Sequence, residues 1–243
     1  MENHKFIDRF FQSQRELLDP SATNERDSNT LYTFLNCLHT TADRLKEDFN
    51  CDIKCYPEFK ILRLIRNYFH HVGDVEEIRL KVLARKNVMA SHSEHLIIPL
   101  ETFAKSVKSF MDKTIPAQDD KKYHAKKKYF ESEMASISKM FAYTDDLLNN
   151  LEETCNKPSL KLDGVNYELG FDIFKFCYNI SNIIADKCRE LDGIRQKKII
   201  AQLESSRTSK NNIEKYDILC HPGQAPITTT KGFIYANKIE LGE

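Results

Sequence analysis

The stretch Phe59-Lys60-Ile61-Leu62-Arg63-Leu64-Ile65-Arg66-Asn67-Tyr68-Phe69-His70-His71-Val72-Gly73-Asp74 stands apart from the rest of the chain. Ile61/Leu62, Ile65, Tyr68/Phe69 and Val72 recur at the helical period, which predicts a helix with one buried face. Pro57 suits the first turn of that helix, and Gly73-Asp74 ends it. Polar chemistry gathers where the helix closes, at Arg66, Asn67, His70 and His71. Asn67 and His71 are four residues apart and share a helical face, so Asn67 is placed to orient the imidazole. Arg66 and His71 are five apart, about 140° around an ideal helix. A site using both needs local unwinding near Gly73, or two such helices meeting across a dimer.

Outward from this segment the chain reads as helical. Residues 3–18 carry Phe6, Ile7, Phe10, Phe11, Leu17 and Leu18 at helical spacing, and a second helix runs to about Phe49 through Leu31, Phe34, Leu35, Leu38 and Leu45. Beyond Gly73, residues 75–90 read as a charged helix on Val75, Ile78, Val82 and Leu83, and 91–99 as a loop or short extended piece. A helix over 100–113 follows. One long amphipathic helix is expected from about Asp120 to Cys155, stopped by Asn156-Lys157-Pro158. Asp163-Gly164 is a turn signal between short apolar runs, which suggests a small hairpin within 159–168. A helix over roughly 169–204 follows, with Asp192-Gly193 as a candidate interruption. Residues 205–212 shift in composition and read as a linker. The β-branched and aromatic tail around Tyr216–Cys220 and Ile227–Tyr235 suggests two or three short strands. The expected fold class is therefore all-α, with a small β-rich C-terminal tail. The expected units are a helical bundle over 1–155, an additional helical segment over 156–204, and a linker with tail over 205–243.

Composition limits the function. The chain has 243 residues, long enough for a sizeable core, and only 7 Gly and 7 Pro. Lys+Arg and Asp+Glu are both 36, so the formal net charge is zero. No global basic field serves a nucleic acid, and any such binding needs a local patch. The best patch is Lys121-Lys122-Tyr123-His124-Ala125-Lys126-Lys127-Lys128-Tyr129. There, Lys121, Lys122, Lys126, Lys127 and Lys128 are placed to meet phosphates while tyrosines stack on bases. A solvated helix face is the plainer reading of the same run. Seven cysteines without regular spacing, and no N-terminal signal pattern, lead to the expectation of reduced thiols in a cytoplasmic protein. No apolar run approaches the ~20 residues of a membrane span, so no membrane association is expected.

Metal and cofactor chemistry finds little footing. Cys51-x3-Cys55 and His92-x2-His95 offer four soft ligands for zinc, but the spacings fit no strong signature. There is no glycine-rich phosphate loop and no serine nucleophile elbow. Paired carboxylates such as Glu76-Glu77 and Glu152-Glu153 read as charged helix faces, and Cys177 and Cys188 as core. No metal and no cofactor are expected.

What remains is arginine with histidine. Metal-free RNA cleavage needs a base for the 2′-hydroxyl proton and a cation for the charge that builds on phosphate. Histidine titrates near neutrality, and arginine presents a rigid fork to phosphate oxygens. The bare spacing of an arginine followed by four to six residues and a histidine occurs three times: Arg63 to His70, Arg66 to His71 and Arg85 to His92. Only Arg66 is followed at once by a small polar residue, inside an apolar helix that closes right after the histidine.

Ile65-Arg66-Asn67-Tyr68-Phe69-His70-His71 resembles the signature of HEPN domains: an arginine, then Asn, Asp or His, a few residues, and a histidine. The resemblance covers this short motif and a helical setting over residues 1–155. It implies a helical bundle and a metal-independent endoribonuclease whose site is composed across a homodimer. Such proteins serve as toxins or antiviral defence effectors that cleave RNA. It also implies an antitoxin or defence-system partner protein. The resemblance gives Arg66 as the phosphate-binding cation, Asn67 as its polar neighbour and His71 as the catalytic histidine. His70, four from Arg66 and on its face, is the alternative. The rival expectation is a catalytically inactive HEPN-like module that serves as a protein-interaction or regulatory subunit.

Overall fold

The computed structural model describes residues 4–18, 29–86, 89–216 and 226–235. Three helices open the chain: α1 (Lys5–Leu18), α2 (Thr30–Phe49) and α3 (Pro57–His71). α1 turns Ile7, Phe10, Phe11 and Leu17 inward, and Phe10 meets Phe34 of α2 with ring centroids 5.7 Å apart. α2 ends at Asn50, which takes the left-handed conformation (φ 52°) and donates its N–H to Lys46 O. Asparagine accepts that conformation at a helix end more readily than most residues. α3 starts at Pro57 and buries Ile61, Leu62 and Ile65 of the predicted stripe, with Phe59 and Leu64 beside them, while Tyr68 and Phe69 are half-buried and Val72, expected on the buried face, is exposed beyond the helix end.

The all-α expectation is overturned directly after α3. The described residues of 75–90 do not form a helix. β1 (Ile78–Lys86) and β2 (Met89–Pro99) are long antiparallel strands, with Ile78 opposite Ile97 and Leu80 opposite His95. The β1 sequence Ile-Arg-Leu-Lys-Val alternates apolar and basic residues, which is the period of a strand. The helical reading stepped over Leu80 and Arg79 and took Val75, Ile78 and Val82 as one stripe. In β2, Leu96, Ile97 and Ile98 are all buried, so the strand is covered on both faces there. β5 (Gly170–Asp172) joins β2 on its other side, giving a three-stranded sheet of order β1-β2-β5. The fold is therefore mixed helix and sheet.

The second half follows the sequence more closely in element type than in length. α4 (Leu100–Thr114) matches the expected helix. The long helix expected from Asp120 to Cys155 is three pieces: α5 (Tyr123–Ile137), α6 (Thr144–Asn149) and α7 (Leu151–Thr154). The first break follows Ile137, where Ser138 Oγ bonds back to Ala135 O. Asn150 marks the second, donating its side-chain amide to Asp146 O. Such short polar side chains compete for backbone partners and weaken continuation. β3 (Ser159–Leu162) and β4 (Val165–Glu168) form the expected hairpin, and Asp163 and Gly164 both have positive φ (48° and 79°), as a two-residue primed turn requires.

α8 (Phe174–Glu190) is the central helix. Phe176, Cys177, Ile180, Ile184, Ala185 and Cys188 are almost wholly buried, and so are Asn179 and Asn182 on other faces. A helix enclosed on all sides belongs to the middle of a core. The chain is interrupted after Glu190, as Asp192-Gly193 signals, and resumes as α9 (Lys198–Ala201).

The stretch read as a linker lies along α8. Asp186 accepts from Thr208 Oγ1 and from Ser209 N and Oγ, and Arg189 donates to the Glu204 and Arg207 carbonyls. Asn179 closes a two-way bond with the backbone of Ile213. Of the tail, β6 (Pro226–Thr229) and β7 (Gly232–Tyr235) form a hairpin; residues 217–225, where a further strand was expected, lie outside those described. The hairpin is a sheet of its own, tied to the segment just before β5 by a Leu169–Thr229 bridge and a bond from Thr230 N to Glu168 O. Gly170 permits this approach. A Cβ there would stand 2.5 Å from Ile97 Cγ2 and 3.1 Å from the Thr229 carbonyl carbon.

Candidate functional site

α3 is held from two sides, and this decides which of its polar residues are available. On one side, Glu133 of α5 is buried and pairs with both Lys60 and Arg63, the former at 2.9 Å. Arg63 also lies over the Phe110 ring at 5.9 Å. Arg63 is therefore spent on the α3–α5 contact, which removes the Arg63-to-His70 spacing as a phosphate site. For the Arg85-to-His92 match, both side chains lie outside those described.

On the other side, α3 faces α2, and there Arg66 and His70 converge. Arg66 Nε donates to Asn36 Oδ1 at 3.3 Å, and His70 Nε2 lies 2.8 Å from the same oxygen. The shared acceptor fixes several states in turn. Arginine has no acceptor atom, so the group facing its Nε must be the amide oxygen. That oxygen cannot donate, so His70 Nε2 carries the hydrogen. In neutral His70 the free lone pair is then on Nδ1, ready to take a proton. Partial desolvation, the Arg66 guanidinium and His71 all lower the His70 pKa below its ordinary value, favouring the neutral form. Tyr32, one turn before Asn36 on α2, sets its ring 5.4 Å from His70 and 5.6 Å from Phe69. The result is an exposed imidazole base, a cation and an aromatic ring on one groove.

His39 lies next to this cluster. Its ring packs against Phe59 at 5.0 Å, and Nε2 is buried with no hydrogen-bond partner. Burial first, and then the positive charge of Arg66, pull its pKa down to about 4. It stays neutral beside the arginine.

Asn67 and His71 lie about 100° further round the helix from Arg66 and His70. They line a small cleft of about 130 Å³ between α3 and α4, closed by Tyr68, Ser106, Ser109, Phe110 and Lys113. Asn67 Oδ1 accepts from Arg66 Nη1 at 3.5 Å. α3 continues as helix through His71, with Val72 N bonding to Tyr68 O at 2.9 Å. The chain does not unwind before His71. Arg66 therefore meets His70 within one chain, and His71 sits about 140° away on the helix.

The basic run is exposed at the start of α5: Lys121, Lys122, Lys126, Lys127 and Lys128 all face solvent. Lys127 Nζ lies 5.9 Å over the Tyr123 ring. Tyr129, 44% exposed, meets Phe110 edge-on at 6.3 Å. Phe110 also lines the His71 cleft, so an aromatic step joins the basic turn to that cleft.

Among the described residues, no group of three or more His, Cys, Asp or Glu side chains is gathered for a metal. His95, a zinc candidate by sequence, is engaged by Asp172 and Ser93 instead. Cys37, Cys51, Cys55, Cys155, Cys177 and Cys188 carry free thiols, and burial pushes Cys188 up to about 12. Among the described residues, no helix is long and apolar enough to cross a membrane.

Asn36, Tyr32 and His39 were not legible as site residues. Their spacing on α2 gives a polar-aromatic stripe, but only the packing of α2 on α3 says what the stripe faces. Comparison with family models, curated proteins and solved structures returns no match for this chain.

Proposed function

We propose that this protein is a metal-independent endoribonuclease of the HEPN type, acting as a toxin or antiviral defence effector. The observation that carries the reading is the Asn36 oxygen bridging Arg66 and His70 at the end of an apolar helix. In the reaction, His70 Nδ1 takes the 2′-hydroxyl proton and the 2′-oxygen attacks the adjacent phosphorus. The 5′-oxygen leaves and takes a proton from water as the 5′-hydroxyl, giving a 2′,3′-cyclic phosphate. Arg66 offsets the charge on the phosphate oxygens. Tyr32 stacks on a base, and the lysines at the start of α5 hold the flanking backbone. The motif spacing favours His71 as the base, and the geometry favours His70. His71 and Asn67 then line the second cleft with Lys113. The site is further proposed to be completed across a homodimer. Val72, 54% exposed beside both histidines, supports a contact there.

The test is cleavage of mixed single-stranded RNA in excess chelator, with products analysed for cyclic phosphate ends. Wild type should cut. Arg66→Ala and His70→Ala should each lose on the order of 10²-fold or more in rate, the scale of a lost base or phosphate cation. His71→Ala should retain most activity. Loss in His71→Ala with retention in His70→Ala would reverse the assignment. A wild type inert on every RNA offered would overturn the nuclease reading. Mixing inactive Arg66→Ala with inactive His70→Ala protein should restore no activity, because both residues act within one chain; restored activity would place them in different chains.

A further inference from the structure

The main sheet holds a second constellation, remote in sequence from the α2–α3 groove and independent of the nuclease reading. Ser93, His95 and Ile97 alternate onto one face of β2, because successive side chains of a strand point to opposite sides. Asp172 stands opposite Ile97 in register, so β5 brings a carboxylate to that same face. The three polar side chains form a chain: Asp172 Oδ2 lies 2.6 Å from His95 Nδ1, and His95 Nε2 lies 2.9 Å from Ser93 Oγ.

The protonation of this chain follows from its ends. Asp172 Oδ1 accepts backbone N–H from Leu96 at 3.2 Å and from Phe174 at 2.9 Å, which fixes the plane of the carboxylate. A carboxylate only accepts, so His95 Nδ1 is the donor. In the neutral imidazole, Nε2 is then the acceptor, and the Ser93 hydroxyl donates to it. That is the direction of bonding in which a base activates a serine oxygen. His95 is 6% exposed and Phe233 of the tail hairpin covers its ring edge-on at 4.5 Å, while Ser93 remains half-exposed. The base is thus shielded and the nucleophile reachable. A histidine that merely tied β2 to β5 would need the Asp172 bond alone. Here its second nitrogen is committed to a hydroxyl instead of solvent. Leu80, opposite His95 in register, and Phe233 give the surroundings an apolar wall.

We propose that Ser93, His95 and Asp172 form a nucleophilic site for acyl transfer from a small carboxylic ester with an apolar acyl group. Ser93 Oγ bonds to the carbonyl carbon as its proton passes to His95 Nε2. The carbon–oxygen bond to the alcohol breaks, and the alcohol leaves with that proton. Water then attacks the acyl-serine, gives a proton to Nε2, and releases the acid and the free serine. Asp172 is a positioning residue that holds the tautomer.

The experiment treats the full chain with a small alkyl fluorophosphonate, which transfers its phosphonyl group to an activated serine oxygen with loss of fluoride. Modified peptides are mapped by mass spectrometry. Wild type should gain one adduct on Ser93, with exposed Ser132 and Ser205 unmodified as internal references. Ser93→Ala should abolish the adduct without unfolding the protein, as judged by circular dichroism. His95→Gln should slow labelling on the order of 10²-fold. A short-chain nitrophenyl ester should show a burst of nitrophenol that disappears in Ser93→Ala. No adduct on Ser93 in the folded wild type would overturn the proposal, even if His95→Gln fails to fold. Labelling of Ser132 or Ser205 as fast as Ser93 would overturn it as well.

Discussion

His39 offers a direct test of how the α2–α3 groove is built. Its imidazole packs on Phe59, its Nε2 has no partner, and its pKa is pulled from 6.5 down to about 4, by burial first and then by Arg66. A folded-state pKa below the unfolded one means that the unfolded chain binds the proton more tightly. The folded state is therefore not penalised above pH 6.5, and it loses stability as pH falls from there towards 4. At about 1.4 kcal/mol per pKa unit the full shift corresponds to about 3.5 kcal/mol. The ring is only half-buried, so solvent screening reduces the expected effect to about 1–2 kcal/mol. Urea denaturation of wild type and His39→Leu, at intervals from pH 7.5 to 4.5, isolates it from the other titrating groups. The substitution removes the titration and the orphan nitrogen while keeping an apolar contact with Phe59. The wild type should lose about 1–2 kcal/mol more than His39→Leu between pH 6.5 and 4.5. Parallel stability curves for the two proteins would refute the burial of a neutral His39 beside Arg66.

Two other substitutions probe the supports of α3. Glu133→Ala leaves Lys60 and Arg63 without their shared carboxylate; they are 13% and 22% exposed, so the loss should fall below that of a fully buried pair, at about 2–3 kcal/mol in urea denaturation. A loss below about 0.5 kcal/mol would show that the pair does not hold α5 to α3. Glu58, 5% exposed under α8, has its carboxyl pKa raised by burial, against the opposing hydrogen bond from Asn179. A raised acid stabilises the fold at low pH and loses that contribution as pH climbs from its unfolded value through the folded one. Glu58→Gln should thus raise the thermal midpoint at pH 8 and lose the advantage below pH 4; a midpoint lowered at pH 8 would count against it.

What could be read from the residues divides along a physical line. α3 was legible because its apolar period, its Pro57 start and its Gly73 end agree, and such agreement across levels leaves one local structure. The β3–β4 hairpin was legible from Asp163-Gly164 alone, since few residue pairs accept two successive positive φ values. The main sheet was not legible. β1 carries Arg79 and Lys81 among apolar residues, and a strand with one solvated face can mimic the stripe of a charged helix over two turns. β5 is three residues long, and its partners Ile97, Ile98 and Pro99 lie far before it in the chain, so no local pattern announces it. The same reason hid both polar constellations. Asn36 meets Arg66 across 30 positions and Asp172 meets His95 across 77. One partner of each was visible in the sequence and the other was not.

The two faces of α3 also bear on how a motif defined by spacing should be used. Three arginines precede a histidine at the right interval, and each stands in a different structural situation. Arg63 is held by Glu133 and Phe110, Arg85 lies on a strand, and Arg66 is oriented by Asn36. Spacing along a helix determines which side chains share a face, while the neighbouring helix determines which face can act. Because α3 keeps its helical geometry through His71, the four-residue interval brings His70 to Arg66, and the five-residue interval carries His71 round to the α4 side beside Ser106 and Lys113. The Arg66–Asn36–His70 bridge is complete in one protomer. If the chain pairs through Val72, the second copy has to supply the other wall of the groove and not the base, so a mixture of the two inactive variants should stay inactive.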